Sequence, residues 1–220
     1  PDIDNSSIIN KTLTGAKNKD IIIFPNGKFP IHHPIQQLNK ALRWEGQEDS
    51  NIIAGMDCEG VIFSTNEALR SEINRINFIN NYGYSTKTGI RISQVIKISD
   101  CEIKGWGEYG IIVSADIATL GANSDSSFCR FDDLFISGCN KGGMYFQGGD
   151  ANQCNIYHVD IRDCGGMAFD DNSFLGNKFF GCMVHNCVGS YAARQDSNRA
   201  EFFGCYAEMG CSPVILHGRS

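Results

Sequence analysis

Proline is scarce in this chain, five of 220 residues. Proline inside a sheet removes a ladder hydrogen bond, so its rarity leaves long stretches free to pair as strands. No apolar run reaches the roughly 18 residues of a membrane-spanning helix, so no membrane partner is expected. Cationic clusters are missing too. Lys and Arg number 19 against 25 Asp and Glu, for a net charge of −6 and a pI near 5.3. Nucleic-acid surfaces need dense Lys/Arg, so no nucleic-acid partner is expected. There is no Cys-x-x-Cys pair and no Cys/His set with zinc spacing, so neither a metal site nor a cofactor is expected. A Ca²⁺ site would need a denser acidic cluster than any visible here. No signal-peptide pattern is seen, and the chain opens on Pro1 rather than Met, which fits a piece of a longer protein.

What the chain has in plenty is repetition. Phe78, Ile103, Ile136, Ile161, Val184 and Ala207 recur at intervals of 25, 33, 25, 23 and 23 residues. Two residues before them stand Ile76, Cys101, Leu134, Val159, Cys182 and Cys205; three after most of them come Trp106, Cys139, Cys164, Cys187 or Gly210. A second apolar run follows, beginning at Gly110, Gly143, Gly166, Ser190 and Pro213. Such a period signals a solenoid. Alternation at i and i+2 is strand spacing, and no repeat has room for a helix. Gly105, Gly138, Gly165, Asn186 and Gly210 supply residue types that tolerate positive φ at bends. The expected fold is all-β: a right-handed parallel β-helix whose core is a column of side-chain ladders. The interval of 33 residues predicts a surface insertion at about residues 115–126.

Ten cysteines would suit a disulfide framework, but their spacing places them in inward ladders. Cys101, Cys182 and Cys205 share one column; Cys139, Cys164 and Cys187 share another. Free cysteine behaves there as a small buried hydrophobe, so unbridged buried thiols are expected. That fits folding in a reducing compartment before release.

Residues 5–14 read as a short amphipathic helix with Asn5 or Ser6 as N-cap. Ile21–Phe24 reads as a buried strand closed by Pro25-Asn26-Gly27, and 29–35 as one further edge strand. His32-His33 reads as a turn pair. The chain divides into a cap helix with first strands (1–50) and one continuous run of coils (51–220). This order, with Ile22-Ile23-Phe24-Pro25-Asn26-Gly27-Lys28-Phe29-Pro30-Ile31 and Gly46 followed by Asn51-Ile52-Ile53, resembles the N-terminal part of pectate-lyase-superfamily β-helix proteins. The stretch Phe202-Phe203-Gly204-Cys205-Tyr206-Ala207-Glu208 is similar to coils of bacterial and phage members. The resemblance implies a helix capping the open end. It also implies a polysaccharide partner and, by likeness to phage tailspikes, a homotrimer on a virion tail or outside the cell. Polygalacturonase-like members carry four motifs, of which only Asp-Asp occurs here, at 132–133 and 170–171. The reaction is therefore left open between hydrolase and lyase.

Registering the repeats gathers Asp100, Glu102, Asp133, His158, Asp160, Arg162, His185 and Glu208 on one outer face, with Phe135 and Tyr206 nearby. Paired carboxylates beside aromatics suit carbohydrate chemistry, one carboxyl protonating the leaving oxygen and another activating water or attacking the sugar. Asp133, Asp160 and His158 are the catalytic candidates; Arg162, His185, Glu208 and Tyr206 are the substrate-binding candidates. A rival cluster follows the second strand: Asp170, Asp171, Arg194 and His217, with Asp150 and Asp196. A third reading is plain solvated surface, since any β-helix has a polar exterior. Two functions stay open: a polysaccharide-degrading domain, or a non-catalytic glycan-binding or structural module.

Overall fold

The computed structural model describes residues 3–64, 70–83, 85–114, 126–148, 150–194, 200–208, 211 and 215–217. Within them the chain winds as a parallel β-solenoid of three eight-stranded sheets, visited in turn. Sheet A stacks Ile21–Phe24, Arg43–Gly46, Ser71–Asn74, Ile96–Ser99, Arg130–Asp132, Asn155–Tyr157, Lys178–Phe180 and Glu201–Phe203. Sheet B stacks Gly27–Ile31, Ser50–Ala54, Asn77–Asn80, Glu102–Lys104, Phe135–Ser137, Asp160–Arg162, Met183–His185 and Tyr206–Ala207. Sheet C stacks Ile35–Leu38, Val61–Ser64, Ile90–Ser93, Tyr109–Ser114, Gly142–Gly148, Met167–Ser173, Gly189–Arg194 and Ile215–His217. Gly210 and Asp196 lie outside the described residues, as does most of the 115–126 insertion.

The reference column is real and in register: Phe78, Ile103, Ile136, Ile161, Val184 and Ala207 pair coil to coil. It continues upward through Ile52 and Phe29. Sheet A contributes the inward ladder Trp44, Ile73, Ile98, Phe131, Ile156 and Phe179, all fully buried. Trp106 spans the interior, its indole donating to the Phe78 carbonyl at 3.1 Å. A Cβ at Gly60 or Gly89 would come within 2.9 Å of that ring, so both positions must stay bare.

Several expectations need correcting. Sequence 27–38 makes two edge strands in different sheets rather than one, because the corner at His32 and His33 turns the chain; both amides donate to Ser6 Oγ there. Ile21–Phe24 is a strand with only Phe24 buried, since Ile21 and Ile23 point outward. Gly165 is not a left-handed bend. Asp163 takes that role at φ 53°, in line with Gly105, Gly138 and Asn186. Gly165 is bare for another reason: a Cβ would sit 2.3 Å from the Asn140 carbonyl oxygen. In one coil the second run begins two residues later than Gly166, at Ala168, for Met144 pairs with Phe169.

The helix runs Ser6–Gly15 and presses Ile9 and Leu13 on the core. Asn5 makes no side-chain cap; instead Asp4 Oδ1 accepts from Ser6 N at 2.9 Å and from His32 N at 3.1 Å. Lys40 Nζ donates to the carbonyls of Leu13, Thr14 and Ala16, satisfying the helix C-terminus with a cation. Asn10 bonds the edge strand directly, accepting from Gln36 N at 2.8 Å and donating to Pro34 O at 3.0 Å. The helix thereby covers an edge that would otherwise be open to other chains.

All ten cysteines are free, and nine are buried. Cys205 is the exception. It stands on the last coil described, where Phe202 of the inward ladder has Phe179 stacked on one side at 4.8 Å and is itself 42% exposed. Thiol titration of the native protein is therefore expected to label Cys205 alone at first, with the remainder reacting only on unfolding. Rapid native labelling of several cysteines would contradict the packing.

Candidate functional site

Two left-handed bend columns shape the outer surface. One separates sheet A from sheet B: Arg75, Asp100, Asp133, His158, Gly181 and Gly204, at φ 51° to 61°. Asp and Gly accept this conformation most readily, and His is enriched there too. Asp133 and His158, expected on a flat strand face, thus stand on a corner instead. Their register is as anticipated: His158 follows Asp133 one coil on, and Asp160 pairs with Phe135. The corner and the neighbouring strand form an open depression lined by Asp100, Glu102, Asp133, Phe135, His158 and Asp160.

The polar groups there fall into two sets. His158 Nδ1 lies 3.4 Å from Asp133 Oδ1, with the side chains 66% and 60% exposed. Asp160 is more enclosed. Arg162 Nε donates to its two oxygens at 2.9 and 3.0 Å, and Arg162 Nη2 donates at 2.5 Å. The carboxylate holds the Arg162 guanidinium in its charged form, raising its pKa. The Arg162 guanidinium carbon is 5.6 Å from the Phe135 ring centroid. His185 continues the set, Nε2 being 3.8 Å from Asp160 and Nδ1 2.8 Å from Glu208 Oε2. Tyr206 is exposed, its ring 6.1 Å from that of His185. All seven candidate residues therefore share sheet B's outer side or its corner. Only Asp133, His158 and Asp160 line the depression itself.

Strand alternation splits the two adjacent aspartates of the rival cluster. Adjacent residues in a strand face opposite ways. Asp170 stands in the outward column of sheet C with Tyr145, and Asp171 in the inward column with Phe146. Tyr109 reaches two coils, its hydroxyl donating to Asp170 Oδ2 at 3.0 Å. Its ring stacks on Tyr145 at 5.0 Å. Gly142 makes room, because a Cβ there would sit 2.9 Å from the Tyr109 ring. Arg194 pairs in register with His217 further along the sheet. Asp150 is exposed on a turn.

Asp171 is a core carboxylate. It accepts from Ser173 N at 2.9 Å, Asn177 Nδ2 at 3.0 Å and Tyr191 Oη at 3.1 Å. Burial pushes its pKa up, and the hydrogen bonds only partly oppose this. A raised folded value means the stabilising contribution is complete below the unfolded carboxyl pKa, about 3.9, and fades as pH rises through the folded value. Asp171→Asn should abolish that slope. Wild-type melting temperature is expected to fall relative to the variant from about pH 4 upward. Parallel pH profiles for the two proteins would show that Asp171 does not titrate differently on folding.

Sequence reasoning missed an aromatic ladder on sheet A. Tyr157, Phe180 and Phe203 stack coil on coil at 4.7 and 4.9 Å, with Arg130 4.8 Å from the Tyr157 centroid. The signal was there, since the three recur at intervals of 23 residues four places before the reference column. Among the described residues, no group of three or more His, Cys, Asp or Glu is disposed to hold a metal ion. None of their helices is long and apolar enough to cross a membrane.

With that geometry in hand, comparison with known proteins places the fold. No family model and no curated protein matches the chain. Among solved structures, ORF18 of Geobacillus virus E2 is similar at a TM-score of 0.77 and 14% identity, over 93% of this chain and 45% of that one. The mannuronan C-5 epimerase AlgE4 A-module of Azotobacter vinelandii also matches, at a TM-score of 0.40 and 11% identity, over 98% and 94% of the two chains. The protein is thus a parallel β-solenoid with a phage protein as a structural neighbour. It spans less than half of that neighbour's length.

Proposed function

We propose that this chain is a polysaccharide-degrading β-solenoid domain of a phage tail protein, acting on a bacterial capsule, O-antigen or exopolysaccharide. The observation that carries the reading is the corner depression, where Asp133, His158 and Asp160 meet beside Phe135. Asp133 and Asp160 come from adjacent coils, offset by two residues. Both carboxyl groups line the depression, and glycoside hydrolysis works through a pair of carboxyl groups. Arg162 has its Nε and Nη2 engaged by Asp160, which leaves the Nη1 edge of the guanidinium for a uronate carboxylate. His185, Glu208 and Tyr206 extend the same outer side for further sugar units.

The bidentate Arg162–Asp160 pair also favours a second reading, a glycan-binding module without turnover, because both Asp160 oxygens are already engaged. A panel of capsular polysaccharides, followed by viscosity and reducing-end assays, separates the two. Ultraviolet absorbance of an unsaturated uronate then distinguishes lyase from hydrolase. Binding without any chain cleavage across the panel would leave only the module. A homotrimer is part of the proposal, and a solution mass of one or two chains would count against it.

A further inference from the structure

We propose that His185 is a positioning residue for Asp160, a doubly protonated imidazole that bridges Asp160 to Glu208 and holds the Asp160 carboxylate opposite Arg162. The bridge stands on geometry alone; its value to catalysis rests on the function proposed above.

Both ring nitrogens are committed. Nδ1 lies 2.8 Å from Glu208 Oε2, at hydrogen-bond distance. Nε2 is buried and has no hydrogen-bond partner among the described residues. It stands 3.8 Å from Asp160 Oδ1. Register explains the convergence. His185 pairs with Arg162 and Met183 with Asp160, so Asp160 stands one coil up and two residues back. Ala207 pairs with Val184, which puts Glu208 one coil on in the column of His185. The charged and titratable groups facing the ring are therefore Asp160 and Arg162 from one strand, and Tyr206 and Glu208 from the other side. Asp163, on the corner beyond, has Oδ1 taken by Asn186 Nδ2 at 2.7 Å.

A neutral imidazole carries one N–H and its cation two. With the single proton on Nδ1, the buried Nε2 lone pair is left beside the Asp160 carboxylate. With the proton on Nε2, the Nδ1 lone pair meets the Glu208 carboxylate at 2.8 Å. Either neutral form sets a lone pair against an anion. The imidazolium donates on both sides, and the charges then balance: Asp160 and Glu208 negative, Arg162 and His185 positive. Arg162 opposes a second cation beside it, but its Nε and Nη2 are turned to Asp160. The longer contact to Asp160 is of the kind that tightens when a substrate fills the site. His185 thus has no nitrogen left for a sugar. It acts through Asp160, gripping from one side the carboxylate that Arg162 grips from the other.

Long-range 15N–1H spectra of the full chain test the bridge at about pH 7.5, roughly one unit above the ordinary imidazole value. The chain has five histidines, and the signals absent from His185→Gln identify the ring. His185 is expected to show two protonated nitrogens there, where an unpaired imidazole is mostly neutral. Glu208→Gln keeps the shape and removes one anion, and should leave the ring with a single proton. The Asp160 carboxyl 13C resonance reads the positioning without any substrate. It should move in His185→Gln, a variant first checked for native circular dichroism. With a cleavable polysaccharide in hand, His185→Gln should lower kcat and change its pH profile at little cost in KM. A single-proton ring in the wild type at that pH overturns the proposal. So does an Asp160 resonance unmoved by His185→Gln, or a variant that raises KM alone. If the spectra hold and no glycan is cleaved, the bridge stands and the degrading function falls.

Discussion

Gly46→Ala is expected to cost about 3 kcal/mol, the upper end for overpacking. The new Cβ would lie 1.8 Å from the Arg75 carbonyl oxygen and 2.6 Å from its carbon. A flexible side chain could swing aside, but a backbone carbonyl one coil away cannot. Arg75 is already in a left-handed bend at φ 57°, and its amide donates to Ser99 O at 3.2 Å, so it is tied to the coil beyond. Relief requires prising coils apart, which strains the Trp44–Ile73 step of the inward ladder. At roughly 2–4 °C per kcal/mol for a chain of this size, the melting temperature should drop by about 6–12 °C. Gly15→Ala is the control. Nothing lies within 4 Å of its Cβ, and alanine favours helix. Equal melting temperatures for Gly46→Ala and wild type would mean the coils are more compliant than their geometry indicates.

Under the proposed function, Asp160→Asn carries the largest expected effect on activity. A positioned carboxyl in acid–base catalysis contributes about 10²–10⁴-fold, so turnover should fall by that order. Folding should lose little, because asparagine keeps the shape and an ion pair with a partly exposed Arg162 is worth about 1 kcal/mol. The Arg162 side chain is 43% exposed and that of Asp160 15%. Asp133→Asn should show a comparable loss if the two act across the trough. On the proposed role of binding substrate without moving a proton, Arg162→Ala should instead raise KM more than it lowers kcat. Near-wild-type turnover in both Asp variants would remove sheet B's outer side. The next residues to test would be Asp170 and Tyr109 on sheet C.

The two parts of the candidate site were legible to different degrees. Asp133, His158 and Asp160 could be placed together because the coil period sets register, and register fixes which residues neighbour one another along the solenoid. Their local conformation was not legible. A strand position and a left-handed corner share the same polar residue types, and only the φ values separate them. The Asp170–Tyr109 contact was hidden because it links residues 61 apart through a slot that Gly142 leaves open. Sequence spacing carries no information on how far a tyrosine leans across two coils.

The fold class followed from pattern alone. Period, alternation and the shortage of proline and helical spacing leave few architectures besides a parallel solenoid, because each coil can bury its inward row only on the next. The three-sheet cross-section, the corner columns and the burial of individual residues were settled only by the folded chain. Cys205 illustrates why. Its sequence context matches that of Cys101 and Cys182, yet it is exposed while they are buried. Burial depends on what stacks above and below a residue, which a repeating pattern does not encode. Asp171 shows the converse: a charged residue that pattern assigns to the surface is drawn into the core, where Ser173, Asn177 and Tyr191 supply the hydrogen bonds that water would have given.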